Sequence, residues 1–317
     1  MTEELGFYTA NGGLDHTLVM DGIYYIGIGE RDCTGLYGEQ AEEYLCEQVE
    51  AAASADPTKP IFVYSHIGYG FASDGSQMTV SAETAAFLAN YPQIVWLTGH
   101  THYAAQDARM IQQADFTTVQ CPTSGSKYWW YYSSYGSEDL AHSTDYAVEA
   151  QQGMILEVTD TGVVIAQRYD FATGKNIGME WVIDTPAIVS STENFTYTLA
   201  GRLNAAAAPT WGEGDRLTVS AVTSTGASVT LPRAHVADSV SDDTVTYYRL
   251  VAVDEEGNAI YSGRIMSEYY RGSAQAETYT FNLTGLEAGK TYRLYAVAES
   301  VFGVLSSALE GSLTTAG

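Results

Sequence analysis

The sequence predicts an α/β fold over residues 1–190 and an all-β sandwich over residues 205–317. Three observations carry that division. In the first part, the apolar runs GIYYIGI, KPIFVYSH and QIVWLTGH are separated by segments of helical period, the pattern of buried strands joined by helices. From about residue 187, short alternating strands are punctuated by the turn signals TSTGA, DEEGN and EAGK, the pattern of a sandwich. A chain of 317 residues is also long enough to bury two separate cores.

Taken in order, GIYYIGI at residues 22–28 reads as a short strand bounded by glycines. A helix is expected in YGEQAEEYLCEQVEAAASADP, where Ala41, Tyr44, Leu45, Cys46, Val49 and Ala52 recur at helical spacing and Asp56-Pro57 closes the run. KPIFVYSH, residues 59–66, is the next strand. TVSAETAAFLANYP, residues 79–92, is a helix with Ser81 or Thr79 as N-cap and Pro92 past its end, and QIVWLTGH, residues 93–100, is the strand after it. Strand, helix and strand make a βαβ unit, whose right-handed crossover renders the strands parallel and aims both their ends at one sheet edge. Open α/β sheets bind ligands at that edge. QGMILEVTD and GVVIAQRYD read as a hairpin that extends the sheet or forms a second one, and LNAAAAPTWGEG, residues 203–214, is the entry to the sandwich.

Lys and Arg total 14 against 39 Asp and Glu, a formal net charge of -25. That field repels polyanions, so no nucleic-acid partner is favoured, and no apolar run approaches the roughly 20 residues of a membrane span. Cys33, Cys46 and Cys121 are odd in number and lack CxxC spacing, which argues against a disulfide framework or a thiolate zinc site and leaves them as small core residues. The opening MTEELGFYTANGG lacks the basic and apolar regions of a signal peptide.

Three of the six histidines, His66, His100 and His102, stand at predicted strand ends. Neutral imidazole is the commonest ligand for Zn, Mn or Fe class metals, and the spacing of His100 and His102 lets two rings enter a site from one bent loop. Gly99 suits a sharply turning backbone there, with an unhindered or positive φ. Asp15 and His16 are adjacent rather than spaced, which makes His16 a minor candidate.

YSHIGYG with His66, followed by LTGHTHY with His100 and His102, resembles the last two motifs of the calcineurin-like metallophosphoesterases. GLYGEQAEEYLCEQVEAA looks like that family's helix before the first of these histidines, and GMILEVTDTGVVIAQRYDFATGKNIG like its closing hairpin, so the resemblance spans residues 20–185. It implies part of a four-layer αββα fold that hydrolyses a phosphomonoester or phosphodiester, as a small molecule or on a phosphorylated surface ligand. It also implies two divalent metal ions of the Mn, Fe or Zn class, with His66 and His100 on one and His102 on the other, which activate water and screen phosphoryl charge. The family's Asp-x-His, Gly-Asp-x-x-Asp and Gly-Asn-His motifs, which supply the bridging carboxylate and the proton donor, do not occur in residues 1–65; NGGLDH and DGIYY do not match them. The expectation is therefore the C-terminal part of a longer phosphoesterase, weak in metal binding and inactive alone, with its catalytic residues unassigned. The competing expectation is a non-catalytic extracellular binding or scaffold protein with a degenerate phosphoesterase half.

KYWWYYSSY, residues 127–135, reads as a partly buried packing segment. The resemblance instead puts it on a loop after the metal-binding turn, where Tyr128, Trp129 and Trp130 would line the substrate cleft. Tyr69 and Tyr103 are cleft-wall candidates, Asp74 and Asp107 read as solvated loop carboxylates, and Asn194 and Asn282 begin N-x-T sequons. The second part resembles a fibronectin type III module, with Leu286 before a turn, Tyr292 as a tyrosine-corner residue, and Tyr292, Leu294, Ala296 and Ala298 facing the core. The tryptophan common in the second strand of such modules is replaced by Leu231 or a neighbour, while Trp211 lies upstream, which leaves an immunoglobulin-like relative open. Such modules usually accompany secreted enzymes, so the resemblance implies an extracellular or cell-surface location and a spacer or docking role.

Overall fold

The computed structural model describes residues 15–29, 37–66, 80–99, 104–122, 151–237, 243–267, 269 and 275–317. It divides into two compact units, residues 1–105 with 109–201, and residues 106–108 with 202–317.

In the first unit, β1 (His16–Met20), β2 (Ile23–Gly27), α1 (Glu39–Ala55), β3 (Ile61–Ser65), α2 (Ala82–Leu88), β4 (Ile94–Thr98), β5 (Ile111–Gln113) and β6 (Thr117–Gln120) follow one another. Their sheet has the order β1-β2-β3-β4-β6-β5. The four inner strands are parallel, and β1 and β5 are antiparallel edges. Helical spacing buries Ala41, Leu45, Val49 and Ala52 of α1 in one core with Ile26, Val63 and Trp96 of the sheet. Ser81 caps α2 by accepting from the Thr84 amide, and the Glu42 carboxylate of α1 accepts from the Ser81 amide at 3.0 Å and the Thr84 hydroxyl at 2.6 Å. These bonds tie the start of α2 to α1.

The sequence reading omitted β1. Asp21 and Gly22 both have positive φ, 51° and 74°, the conformation of the two-residue turn whose twist matches a hairpin. The turn pairs His16 with Gly27.

The strands β7 (Gln152–Val158), β8 (Val163–Asp170) and β9 (Lys175–Asp184) form a separate antiparallel sheet. Of the two readings of that hairpin, a second sheet is the one realised, with β9 as a third strand. Its buried Arg168 stacks on Trp181 at 4.1 Å and donates to the carbonyls of Ala105 at 2.8 Å and Met179 at 2.7 Å. Gln152 accepts from the Ala105 amide at 2.7 Å. Both polar groups of Ala105 are thus held by side chains of this sheet.

Residues 187–205, where the sequence texture suggests short strands before the sandwich, hold α3 (Thr185–Ser190) and α4 (Leu199–Ala205) instead. Asp184 accepts from the Ala187 amide as N-cap and Pro186 sits in the first turn, two helix-starting signals that override the strand texture.

The second unit is built of β10 (Thr218–Ser220), β11 (Gly226–Pro232), β12 (Val245–Val253), β13 (Ala259–Met266), β14 (Thr278–Thr284), β15 (Thr291–Ser300) and β16 (Leu309–Thr314). They form two antiparallel sheets, β10-β11-β14 and β13-β12-β15-β16. Tyr292, Leu294, Ala296 and Ala298 enter one core with Leu231, Tyr248 and Phe281, as the alternation of β15 requires. Trp211 contributes from before β10, its ring 6.0 Å from that of Tyr248.

Two expectations are corrected. Asp107 is buried rather than solvated, at 1% exposure, with the Tyr269 hydroxyl donating to it at 3.5 Å, because residues 106–108 belong to the second unit's packing. Cys46 and Cys121 are half-buried free thiols, since Cys46 stands beside the buried stripe of α1 and Cys121 has passed the end of β6; Cys33 lies outside the described residues.

Asp243 accepts from the amides of Thr244 at 2.7 Å and Val301 at 3.1 Å, yet burial pushes its pKa up to about 6. A carboxyl group whose folded pKa lies above its unfolded value contributes stability that is complete below about pH 4 and lost as pH rises through about 6. Asp243→Asn is therefore expected to gain stability relative to the parent by about 1–2 kcal/mol between about pH 4 and pH 7.5. Thermal melts of both proteins at the two pH values check this, and a constant difference between them would contradict it.

Candidate functional site

The C-terminal ends of β2, β3 and β4 open on a cavity of about 520 Å³ whose wall includes His16, Gly27, Tyr64, His66, Gly99 and Cys121. His66 is the first residue past β3 and is exposed. Its carbonyl accepts from the Gly99 amide at 2.9 Å, which ties the end of β3 to the end of β4. An ideal Cβ on Gly99 would lie 3.4 Å from His66 Nδ1, so the imidazole rests against the Gly99 backbone. Gly99 is absent from the glycines with positive φ; its role is contact with the ring rather than the turn expected of it.

The next residue in the chain is His100. His100 and His102 lie outside the described residues, as do Tyr69, Tyr103, Tyr128, Trp129 and Trp130. Of the sequence-derived site residues, the described part therefore places His66 alone, and it stands where the βαβ reading put it.

His16, a minor candidate by sequence, stands in the cavity wall. It leads β1, and its Nε2 shares a hydrogen bond of 2.5 Å with the Tyr64 hydroxyl. Asp15 beside it is buried and accepts from the Gly29 amide at 3.0 Å. The Asp-Gly pair at 21 and 22, flanked by apolar residues, was the available signal: it implies a hairpin and carries His16 to the sheet edge.

Burial pushes the Tyr64 phenol up, with a smaller push from Tyr44, so it stays protonated and able to donate. Burial raises the Cys121 thiol as well. Among the described residues lining the cavity there is no Asp or Glu. Among the described residues there is likewise no cluster of three or more His, Cys, Asp and Glu side chains suited to a metal. His66 fits a Zn, Mn or Fe class ion as one donor, but the described cavity wall offers no carboxylate to bridge two ions.

A second cleft of about 590 Å³ lies along α1 and α2, lined by Glu39, Glu42, Glu43, Cys46 and Glu83. Glu42 is engaged in capping α2, and burial raises the Cys46 thiol, with Glu42 and Glu83 adding to the push. No histidine stands among the described residues of its wall and it lies off the strand ends, so the sheet-edge cavity is the better candidate for chemistry.

In the second unit the Tyr292 hydroxyl accepts from the Glu287 amide at 2.9 Å, closing the tyrosine corner beside buried Leu286. The second unit is an all-β sandwich of two antiparallel sheets with a tyrosine corner. Its three- and four-stranded sheets, the corner and the filling of the core by Leu231 and Trp211 carry that statement.

No protein-family model matches the chain, and no curated protein matches it. Solved structures similar to part of it include the FN1-FN3 domains of chicken CNTN1, at 14% identity and a TM-score of 0.25, covering 53% of this chain and 42% of that one. Others are the FN5 domain of Drosophila Lar, at 17% identity and a TM-score of 0.20, covering 35% and 98%, and the sensor domain of the anti-sigma factor RsgI4 of Pseudobacteroides cellulosolvens, at 13% identity and a TM-score of 0.22, covering 32% and 93%.

Proposed function

We propose that the first unit is the metal-binding part of a phosphoester hydrolase of the calcineurin-like αββα kind, carried next to the sandwich at the cell surface or outside the cell. The observation that supports it is the meeting of His66 with Gly99 at the ends of two adjacent parallel strands, with His100 next in the chain. A divalent ion there would activate water and screen the charge of the phosphoryl group. His66 would present its ring to the ion, Gly99 leaves that ring room beside the backbone, and the β-sheet fixes both termini. The ester would be a phosphomonoester or phosphodiester. A bridging carboxylate is required for a second ion, and residues 1–65 hold none of the motifs that supply one.

The test is calorimetric titration of the chelator-treated chain with Zn²⁺ and with Mn²⁺, beside the variants His66→Ala, His100→Ala and His102→Ala. Weak binding is expected, reduced by about tenfold or more in each variant, with little turnover of bis-p-nitrophenyl phosphate. Binding that ignores all three substitutions sinks the metal reading and favours the scaffold alternative. Two tightly held ions with turnover would show instead that the chain is a complete enzyme.

A further inference from the structure

Three residues stand in one row across the sheet edge: His16 of β1 pairs with Gly27 of β2, and Gly27 pairs with Tyr64 of β3. An ideal Cβ on Gly27 would sit 2.4 Å from His16 Cε1 and 2.8 Å from Nε2. The ring therefore lies across the position where any other residue carries a side chain. Only glycine lets the imidazole of an edge strand cross the middle strand and reach the Tyr64 hydroxyl 2.5 Å away. Both groups line the same cavity as His66.

We propose that the His16 imidazole and the Tyr64 hydroxyl form an oxyanion-binding pair that takes a non-bridging phosphoryl oxygen beside His66; the assignment rests on the hydrolase reading above. When Nε2–H donates to the phenolic oxygen, the Tyr64 O–H is left to donate into the cavity, strengthened by the bond its oxygen already accepts. The chain carries a net charge of -25, yet no carboxylate appears among the described residues of this cavity wall.

The test uses the full 317-residue chain, stripped of metal with a chelator and titrated with inorganic phosphate, with binding followed by NMR of labelled histidine and tyrosine side chains. The parent is expected to bind phosphate in the millimolar range, with the His16 and Tyr64 resonances moving together. Tyr64→Phe keeps the ring and removes the hydroxyl, and is expected to weaken binding by about five- to tenfold. Gly27→Ala leaves both members of the pair intact and displaces the imidazole, and is expected to weaken it to a similar degree. Absence of phosphate binding by the parent, or equal binding by the parent and both folded variants, overturns the proposal. The hydrolase reading fails separately: phosphate binding that depends on Tyr64, in a chain whose metal affinity ignores His66, His100 and His102, keeps the anion site and removes the metal.

Discussion

Arg168→Ala is expected to destabilise the first unit by about 3–5 kcal/mol, the range reached when a buried polar network is broken. The Ala105 carbonyl loses its donor in a buried place, and the part-buried Met179 carbonyl loses one donor. The buried orphan costs about 1–3 kcal/mol, and Trp181 loses the cation stacked on its ring. For a unit of this size the midpoint should fall on the order of 10 °C. Arg168→Lys keeps the charge but not the planar fork that spans both carbonyls, so it should recover only a minor part of the loss. Urea unfolding of both variants, with hydrogen exchange at the Ala105 amide, checks the effect. A loss below about 1 kcal/mol would mean that the two carbonyls find other donors. Gln152 holds the other polar group of Ala105, so the segment just after His102 in the chain is held by the second sheet of its own unit.

Tyr248→Ala should cost the sandwich about 3–5 kcal/mol, as for other large aromatic truncations in closed cores. Tyr248 is fully buried, stacks on Tyr279 at a centroid distance of 4.3 Å and accepts from the Ala234 amide at 2.9 Å. Burial and the neighbouring Tyr279 push its phenol far above the ordinary range, so it remains neutral throughout the working pH. Tyr248→Phe separates the two contributions. It keeps the stack and removes only the acceptor of one buried amide, for an expected loss of about 1–2 kcal/mol. Equal losses for the two variants in thermal melts would place the energy in the hydrogen bond rather than in the ring.

The parts of the fold legible in the sequence were those with a strong period. The stripe of Ala41, Leu45, Val49 and Ala52 and the runs of β3 and β4 declared themselves because burial on one helix face or on both strand faces leaves a pattern within one segment. The alternation of Tyr292, Leu294, Ala296 and Ala298 did the same for β15. What escaped was set by single residues or by distant ones. Asp184 and Pro186 start a helix where the sequence texture suggested short strands, and buried Asp107 meets the Tyr269 hydroxyl from more than a hundred positions away.

The same contrast holds at the candidate site. The place of His66 just past a parallel strand followed from periodicity, because strand, helix and strand leave one chirality of connection. That His16 reaches Tyr64 was decided only in three dimensions. The contact needs a positive-φ turn at Asp21 and Gly22 to set the register, and a glycine at 27 to vacate the space between two strands. No local pattern encodes a vacancy, because its meaning lies in the side chain that a neighbouring strand lays across it.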